Sequence, residues 1–193
     1  NDYRPTAYLS SKNSVGSFNT LKNNFNFGSG LVNNRFTVDG RISQIKSDGY
    51  IDRAKSDLKS FYVSTTYWGD NSSLRLNVFS GKEKTYQAWY GVPEELLNTN
   101  RTFNPAGTEK ADAPYENQID NYFQNHYQLF YNKQINQQWK WNTALFYTKG
   151  RGYYEEYKAG VDFNDYNIDV SNKPNVPSDL VRRRWLDNDI YGQ

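Results

Sequence analysis

The chain has no cysteine and only one histidine, and no run of apolar residues approaches the ~18 that mark a membrane-spanning helix. Without cysteine there is no disulfide framework, no thiolate nucleophile and no Cys-based metal site. The missing apolar run excludes a transmembrane helix, but it leaves membrane-spanning strands open, because their signal per segment is weak. Charge of one sign is also lacking: 23 Lys plus Arg stand against 21 Asp plus Glu, which gives no electrostatic case for nucleic acid. No glycine-rich phosphate loop, nucleophile elbow or metal motif is present. The reading is therefore not an enzyme, with no catalytic residue, no metal ligand and no cofactor. The opening NDYRPTAYLS has no initiating Met and no signal peptide, as expected of a mature or excised piece.

What the chain does have is aromatic residues. They make up 17% of 193 residues, although only 36% are hydrophobic and the mean hydropathy is strongly negative. Disordered chains are poor in aromatics, so this polarity does not imply an unfolded chain. It suits a sheet whose second face is enclosed and wet. Residues 35–43 (RFTVDGRIS) show the pattern: Phe36, Val38, Gly40 and Ile42 fall on one parity, and Thr37, Asp39, Arg41 and Ser43 on the other. Side chains alternate faces along a strand, so one face is apolar and the other carries an Asp and an Arg. That pattern fits a soluble sandwich or a barrel with lipid outside and a polar lumen inside.

The connections choose between these. Strand-like runs recur at 17–27, 35–43, 60–68, 74–80, 121–133, 139–149 and from 182 onward, which makes seven antiparallel strands. Short turns near 28–34, 69–72 and 135–138 alternate with long excursions near 46–57, 84–118 and 150–181. All short turns then lie at one end of the sheet and all long loops at the other, as in outer-membrane barrels with short periplasmic turns. Phe25, Phe27, Tyr67, Trp68, Trp139 and Trp141 cluster beside the short turns, where an aromatic belt meets the membrane interface. Phe36, Val38, Ile42, Leu74, Leu76 and Val78 are expected to face lipid, and Asp39, Arg41, Arg75 and Asn77 the lumen. The expected fold class is all-β: an antiparallel transmembrane β-barrel segment of about seven strands.

Residues 39–61 (DGRISQIKSDGYIDRAKSDLKSF), 81–107 (GKEKTYQAWYGVPEELLNTNRTFNPAG), 147–157 (YTKGRGYYEEY) and 180–189 (LVRRRWLDND) resemble the early barrel of a TonB-dependent outer-membrane receptor, the Bacteroidota type most closely. The resemblance extends along nearly the whole chain. It implies a wall of about 22 strands around a plug domain, of which residues 1–193 supply roughly the second to the eighth strand. The plug, the TonB-contacting box and the remaining strands have no counterpart here, so a fragment of a longer chain is expected. The implied function is TonB-energised import of a scarce nutrient (an iron chelate, haem, cobalamin or a glycan, with iron uptake preferred). The implied partners are TonB acting through the plug, the small-molecule or oligomeric nutrient ligand, outer-membrane lipid and a surface lipoprotein. A passive porin-like barrel and a soluble β-sandwich binding module are the rival readings.

Several residues are candidates for function. In the longest loop, Trp89, Tyr90 and Arg101 are the residue types that dominate binding hot spots, and Tyr153, Tyr154 and Tyr157 repeat the logic in a second loop. Pro93, Glu94, Glu95 and Asn98 predict one short helix, not an acid–base pair. At 49–54 (GYIDRA), a vestibule staple by Asp52 and Arg53 competes with plain loop architecture around a positive-φ Gly49, and the latter is preferred. Asp162, Asn164, Asp165 and Asp169 invite a calcium reading, but Asn167 and Lys173 replace the glycine and glutamate that an EF-hand loop requires. His126 shares parity with Gln124 and Gln128 and is read as a lumenal wall residue. Arg182, Arg183 and Arg184, followed by Asp187 and Asp189, read as lumenal cross-strand charge pairing.

Overall fold

The computed structural model describes residues 4–172 and 178–192, with the side chains of 187–192 outside that description. Eight strands form one antiparallel sheet in strict sequence order: β1 (Tyr8–Gly16), β2 (Thr20–Gly28), β3 (Phe36–Ser47), β4 (Ser56–Trp68), β5 (Ser72–Tyr86), β6 (Ile119–Gln134), β7 (Lys140–Lys158) and β8 (Leu180–Gly192). The strand missing from the sequence reading is β1. Its sequence YLSSKNSVG carries only Leu9 and Val15 on the apolar parity, too few to register as alternation. Residues 17–19, read as the start of a strand, instead form the β1–β2 turn, in which Phe18 and Asn19 both have positive φ. Thr20 donates its amide to the Ser17 carbonyl across that turn. Positive φ at both central residues gives the primed twist that a two-residue hairpin needs.

Connections 29–35, 69–71 and 135–139 lie at one end of the sheet, and 48–55, 87–118 and 159–179 at the other, together with the tight β1–β2 turn. The sorting of loops therefore holds for every connection the sequence identified.

Register fixes the faces, since directly opposed residues share a side. One face runs Phe36–Tyr67–Leu74–Tyr131–Thr143, then Val38–Thr65–Leu76–Leu129–Leu145, then Gly40–Val63–Val78–Tyr127–Tyr147. Phe36, Ile42, Leu74 and Leu76 on this face are exposed. The opposite face runs Asp39–Ser64–Asn77–Gln128 and Arg41–Tyr62–Phe79–His126–Thr148. It is a hydrogen-bonded polar ladder. Ser64 donates to Asn77 Oδ1 (2.8 Å), Asn77 Nδ2 to Gln128 Oε1 (3.2 Å) and Arg75 Nε to Thr66 Oγ1 (3.1 Å). His126 stacks on Phe79 at 4.4 Å and shares a hydrogen bond with Thr148. All six residues expected to face lipid lie on the apolar face, and Asp39, Arg41, Arg75 and Asn77 lie on the other. No second layer covers the apolar face among the described residues, so the architecture is not a sandwich.

Candidate functional site

The best-buried part of the protein is the rim beyond the apolar band, at the long-loop end. About 9–11 residues carry a tilted strand across a bilayer. A segment of that length counted from Trp141 ends near Arg151 and leaves Tyr153–Lys158 of β7 beyond it. There Tyr86, Ala106 and Ile119 are buried together, with Tyr153 against them. Tyr86 lies on the same side of β5 as Leu74 and Val78, so the longest loop is anchored on the outward side of the wall.

Arg53 holds that loop. Its backbone has φ +62°, an uncommon conformation for a residue with a side chain. Its guanidinium donates to the carbonyls of Asn104 and Ala106 and to the Tyr86 hydroxyl (3.2 Å). Tyr86 donates onward to the carbonyls of Tyr115 (2.6 Å) and Ala106 (3.1 Å). Asn104, 1% exposed, donates to the carbonyls of Asp52 and Gln87 and accepts from the Ala106 amide, each at 3.0 Å. Gln87, 2% exposed, donates to the Glu155 carbonyl. The Asp52 amide donates to the Thr102 carbonyl at 2.7 Å. Buried backbone polar groups require partners, and these side chains supply them where no sheet ladder does.

Glu155 is the second anchor. It is 1% exposed and accepts from the Tyr115 hydroxyl (2.6 Å), Asn117 and Arg183. Burial alone would raise its pKa, but these donors outweigh burial and hold the carboxyl below its usual range. Burial, together with the Glu155 carboxylate, pushes the Tyr115 phenol up to about 12. On the opposite face Glu156 accepts from Arg182 and pairs with Lys158 at 3.2 Å, and Lys158 reaches Glu109 at 3.5 Å.

These contacts revise the expectations. Arg53 does staple a loop, whereas Asp52 contributes only backbone groups. The positive φ of Gly49 is present, at +76°. Residues 150–158 continue β7 and are not loop, so Tyr153 and Tyr154 point to opposite sides: Tyr153 against Trp185 (4.8 Å), Tyr154 beneath Arg184. Tyr157 meets Tyr115 (5.5 Å) and donates to Asp179. Trp89 and Tyr90 are 60% and 55% exposed with rings 6.0 Å apart, and Arg101 is exposed in the same loop. The predicted helix is a single 3-10 turn at Glu94–Leu96. The three arginines do not share a face. Arg182 and Arg183 pair with adjacent glutamates of β7 on opposite sides, and the side chains of Asp187 and Asp189 lie outside the described residues, as does Lys173. In the 162–169 segment Asp162 caps its own loop by accepting from the Asn164 amide. Among the described residues no group of three or more His, Cys, Asp or Glu side chains is placed to hold a metal ion.

The fold has a solved counterpart. The crystal structure of the ferric-catecholate import receptor Fiu from K12 E. coli, in its closed form, matches 97% of this chain with a TM-score of 0.64 at 16% identity. The chain spans 27% of the length of that receptor. No protein-family model and no curated protein matches the chain. Eight antiparallel strands in one sheet, apolar on one face and polar on the other, thus have the fold of a β-barrel segment.

The residues that sequence reasoning missed are Gln87, Asn104, Tyr115 and Glu155. All four are ordinary polar types in irregular or strand-end positions. Only the closure of the loop onto β7, across tens of residues, gives them partners.

Proposed function

We propose that residues 1–193 form part of the barrel wall and rim of an outer-membrane import receptor that draws on energy transduced by TonB. The observation that carries this reading is the conjunction of two features of one sheet. Its apolar face is exposed and its polar face is internally hydrogen-bonded, while its long connections gather at the end away from the aromatic belt. In water such an exposed apolar face would be an aggregation liability; in hydrocarbon it is the required surface. Strands β1 and β8 are not paired with each other among the described residues. Hydrocarbon excludes open sheet edges, so further strands, a plug and the TonB-contacting segment belong to the proposal, as in Bacteroidota-type receptors.

The nutrient would be met outside, at the rim, where Trp89, Tyr90 and Arg101 stand exposed on a loop held rigid by Arg53, and where Tyr153, Tyr154 and Tyr157 flank its base. A ferric chelate is the cargo class we propose, supported by the fold shared with a ferric-catecholate importer. Loop and plug would bind the chelate, TonB would displace the plug, and the polar ladder from Asp39 to His126 would line the opened path. A surface lipoprotein is a further proposed partner.

The test is uptake of a radiolabelled ferric catecholate by cells that express the complete receptor as their sole route. Uptake that stops when a protonophore or loss of TonB removes the energy source is the expected result. Uptake that continues unchanged would make the wall part of a passive pore.

A further inference from the structure

The polar face carries a notch. Arg41, Tyr62, Phe79 and His126 stand side by side across β3 to β6, and the next row toward the long loops is Ser43–Ser60–Gly81–Gln124. Large side chains thus give way to a row in which three of four members are Ser or Gly. The step between the rows is a depression of about 440 Å³ whose lining includes Arg41, Tyr62, Phe79, Gly81, Gln124 and His126. Nothing in the fold demands a glycine at its floor. Gly81 does not have positive φ, and a β-carbon added there would meet nothing within 4 Å. Glycine inside a strand weakens it and often marks a place where a ligand approaches the backbone. Beside this floor Phe79 and His126 form a flat platform, their rings stacked at 4.4 Å and 10° from parallel. A hydrogen bond of 3.0 Å between His126 Nδ1 and the Thr148 hydroxyl fixes the imidazole, and the Tyr62 ring lies 6.3 Å from that of Phe79. Arg41, at the end of the row, is exposed, and its guanidinium has no ion pair or hydrogen bond among the described residues. Asp39, two residues away on the same face, accepts from the Tyr8 hydroxyl at 2.9 Å, and Glu83 lies two strands across and two rows up.

A flat platform, an uncommitted guanidinium and an open floor suit a planar anion. We infer that this notch is a second cargo site, on the polar face and apart from the rim, which takes a negatively charged aryl group (a catecholate or an arene carboxylate). The ring lies against Phe79 and His126, with its oxygens toward Arg41. The site rests on the import reading above and gives the cargo a halting point between the rim and the short-turn end. Guanidinium pairs with two adjacent oxygens through parallel N–H bonds, and aromatic rings hold a flat partner by offset stacking. A neutral sugar would use the platform and leave Arg41 unanswered, so charge selects the aryl anion.

The experiment uses cells whose sole uptake route is the complete receptor, with the radiolabelled ferric complex of 2,3-dihydroxybenzoate as probe. Binding is read with a protonophore present, and the saturated uptake rate without it, both per folded receptor. Arg41→Gln loses no contact and Gly81→Leu places its side chain in open space, so both variants should fold as wild type does. Each should bind the probe like wild type while its saturated uptake rate falls about tenfold, the signature of a site met after capture. Exclusion of a large antibiotic, which reports a seated plug, should not change. An unchanged uptake rate in either variant would overturn the notch as a cargo site. Loss of de-energised binding would assign these residues to the outer site, and entry of the antibiotic would assign them to plug seating; either result overturns the proposal. Absence of energised uptake in wild type would overturn the import reading and the notch together, an outcome visible without any variant.

Discussion

The Phe27 ring occupies the space that a side chain at Gly40 would need: a β-carbon there would lie 2.3 Å from Phe27 Cζ. The two residues are directly opposed across β2 and β3 on the outward face, so an aromatic ring covers the gap a glycine leaves in the apolar band. Gly40→Val should therefore destabilise the barrel by about 1–3 kcal/mol through overpacking. In a Phe27→Ala background most of that penalty should vanish. Urea unfolding of the four members of this double-mutant cycle in lipid vesicles checks the coupling. Additive losses would mean the ring is free to move aside.

Val38→Arg and Asn77→Arg each add a guanidinium to a strand of the sheet, on opposite faces. In the proposed membrane wall the first would meet hydrocarbon and should cost on the order of 2–4 kcal/mol near the midplane. The second enters the polar ladder. It displaces hydrogen bonds with Ser64 and Gln128 and should cost about 1 kcal/mol. Folding yields into liposomes should rank accordingly. Val38→Leu with Val78→Phe should change stability little in fluid lipid. A large loss in that double variant would mean that protein, not lipid, covers this face.

Arg53→Ala removes donors to two carbonyls and a hydroxyl that have no other charged partner in the staple. Hydrogen bonds from charged donors contribute about 1.5–3 kcal/mol, so residues 87–118 should open locally by that amount. Hydrogen exchange should show faster exchange there, with the strands unchanged. Global loss of the sheet would make Arg53 part of the fold's main stability and not a loop anchor.

The Glu155 anchor has a pH signature. Its carboxyl is held below its usual range, so its contribution is complete above the ordinary carboxylate pKa and is lost as pH falls through the lower folded value. Tyr115 works in reverse. Its phenol is raised to about 12, so its contribution is complete below the ordinary phenol pKa of about 10 and is lost as pH rises from there toward 12. Protection of the 104–117 segment should be flat between these limits and fall on both sides. Glu155→Gln should abolish the acid-side fall, and persistence of that fall would assign it to another group.

Trp89→Ala and Arg101→Ala should each weaken binding of the proposed chelate by about tenfold, as expected for exposed hot-spot residues. Tyr153→Ala, whose ring sits against Trp185 on the outward side, should leave binding nearly unchanged. Titration by intrinsic fluorescence quenching separates these outcomes. Unchanged affinity in both loop variants would remove that loop from the binding site.

How much of this was legible in the sequence depended on period. Strands β3 to β7 carry apolar residues at recurring alternate positions, as at Leu74, Leu76 and Val78 in β5, and such alternation fixes both faces. β1 carried two apolar residues and was invisible. Its turn was hidden as well, because Phe18–Asn19 lacks the glycine that usually marks positive φ. The rim was least legible. Arg53, Asn104 and Glu155 come from three separate segments, and nothing local distinguishes a glutamate that will be buried under a tyrosine and an arginine from one that will meet water. The notch on the polar face was hidden for a different reason: Arg41 and His126 share a row only once the register from β3 to β6 is known.

Among the described residues each of the eight strands bonds only to its neighbours in the chain, and the widest gap bridged between neighbours is the segment 87–118. The entropy of closing such a gap grows only slowly with its length, so the rim loops can lengthen without endangering the wall. A wall of this kind can grow at its edge one pair of strands at a time, each finished strand serving as template for the next. Insertion or removal of a single strand would turn every later face inside out and move every later loop to the opposite end of the sheet. Two strands with their short turn are the smallest unit whose duplication or deletion leaves the remaining residues on the same face and the same end of the sheet as before, and so the natural currency of variation among such walls is the hairpin.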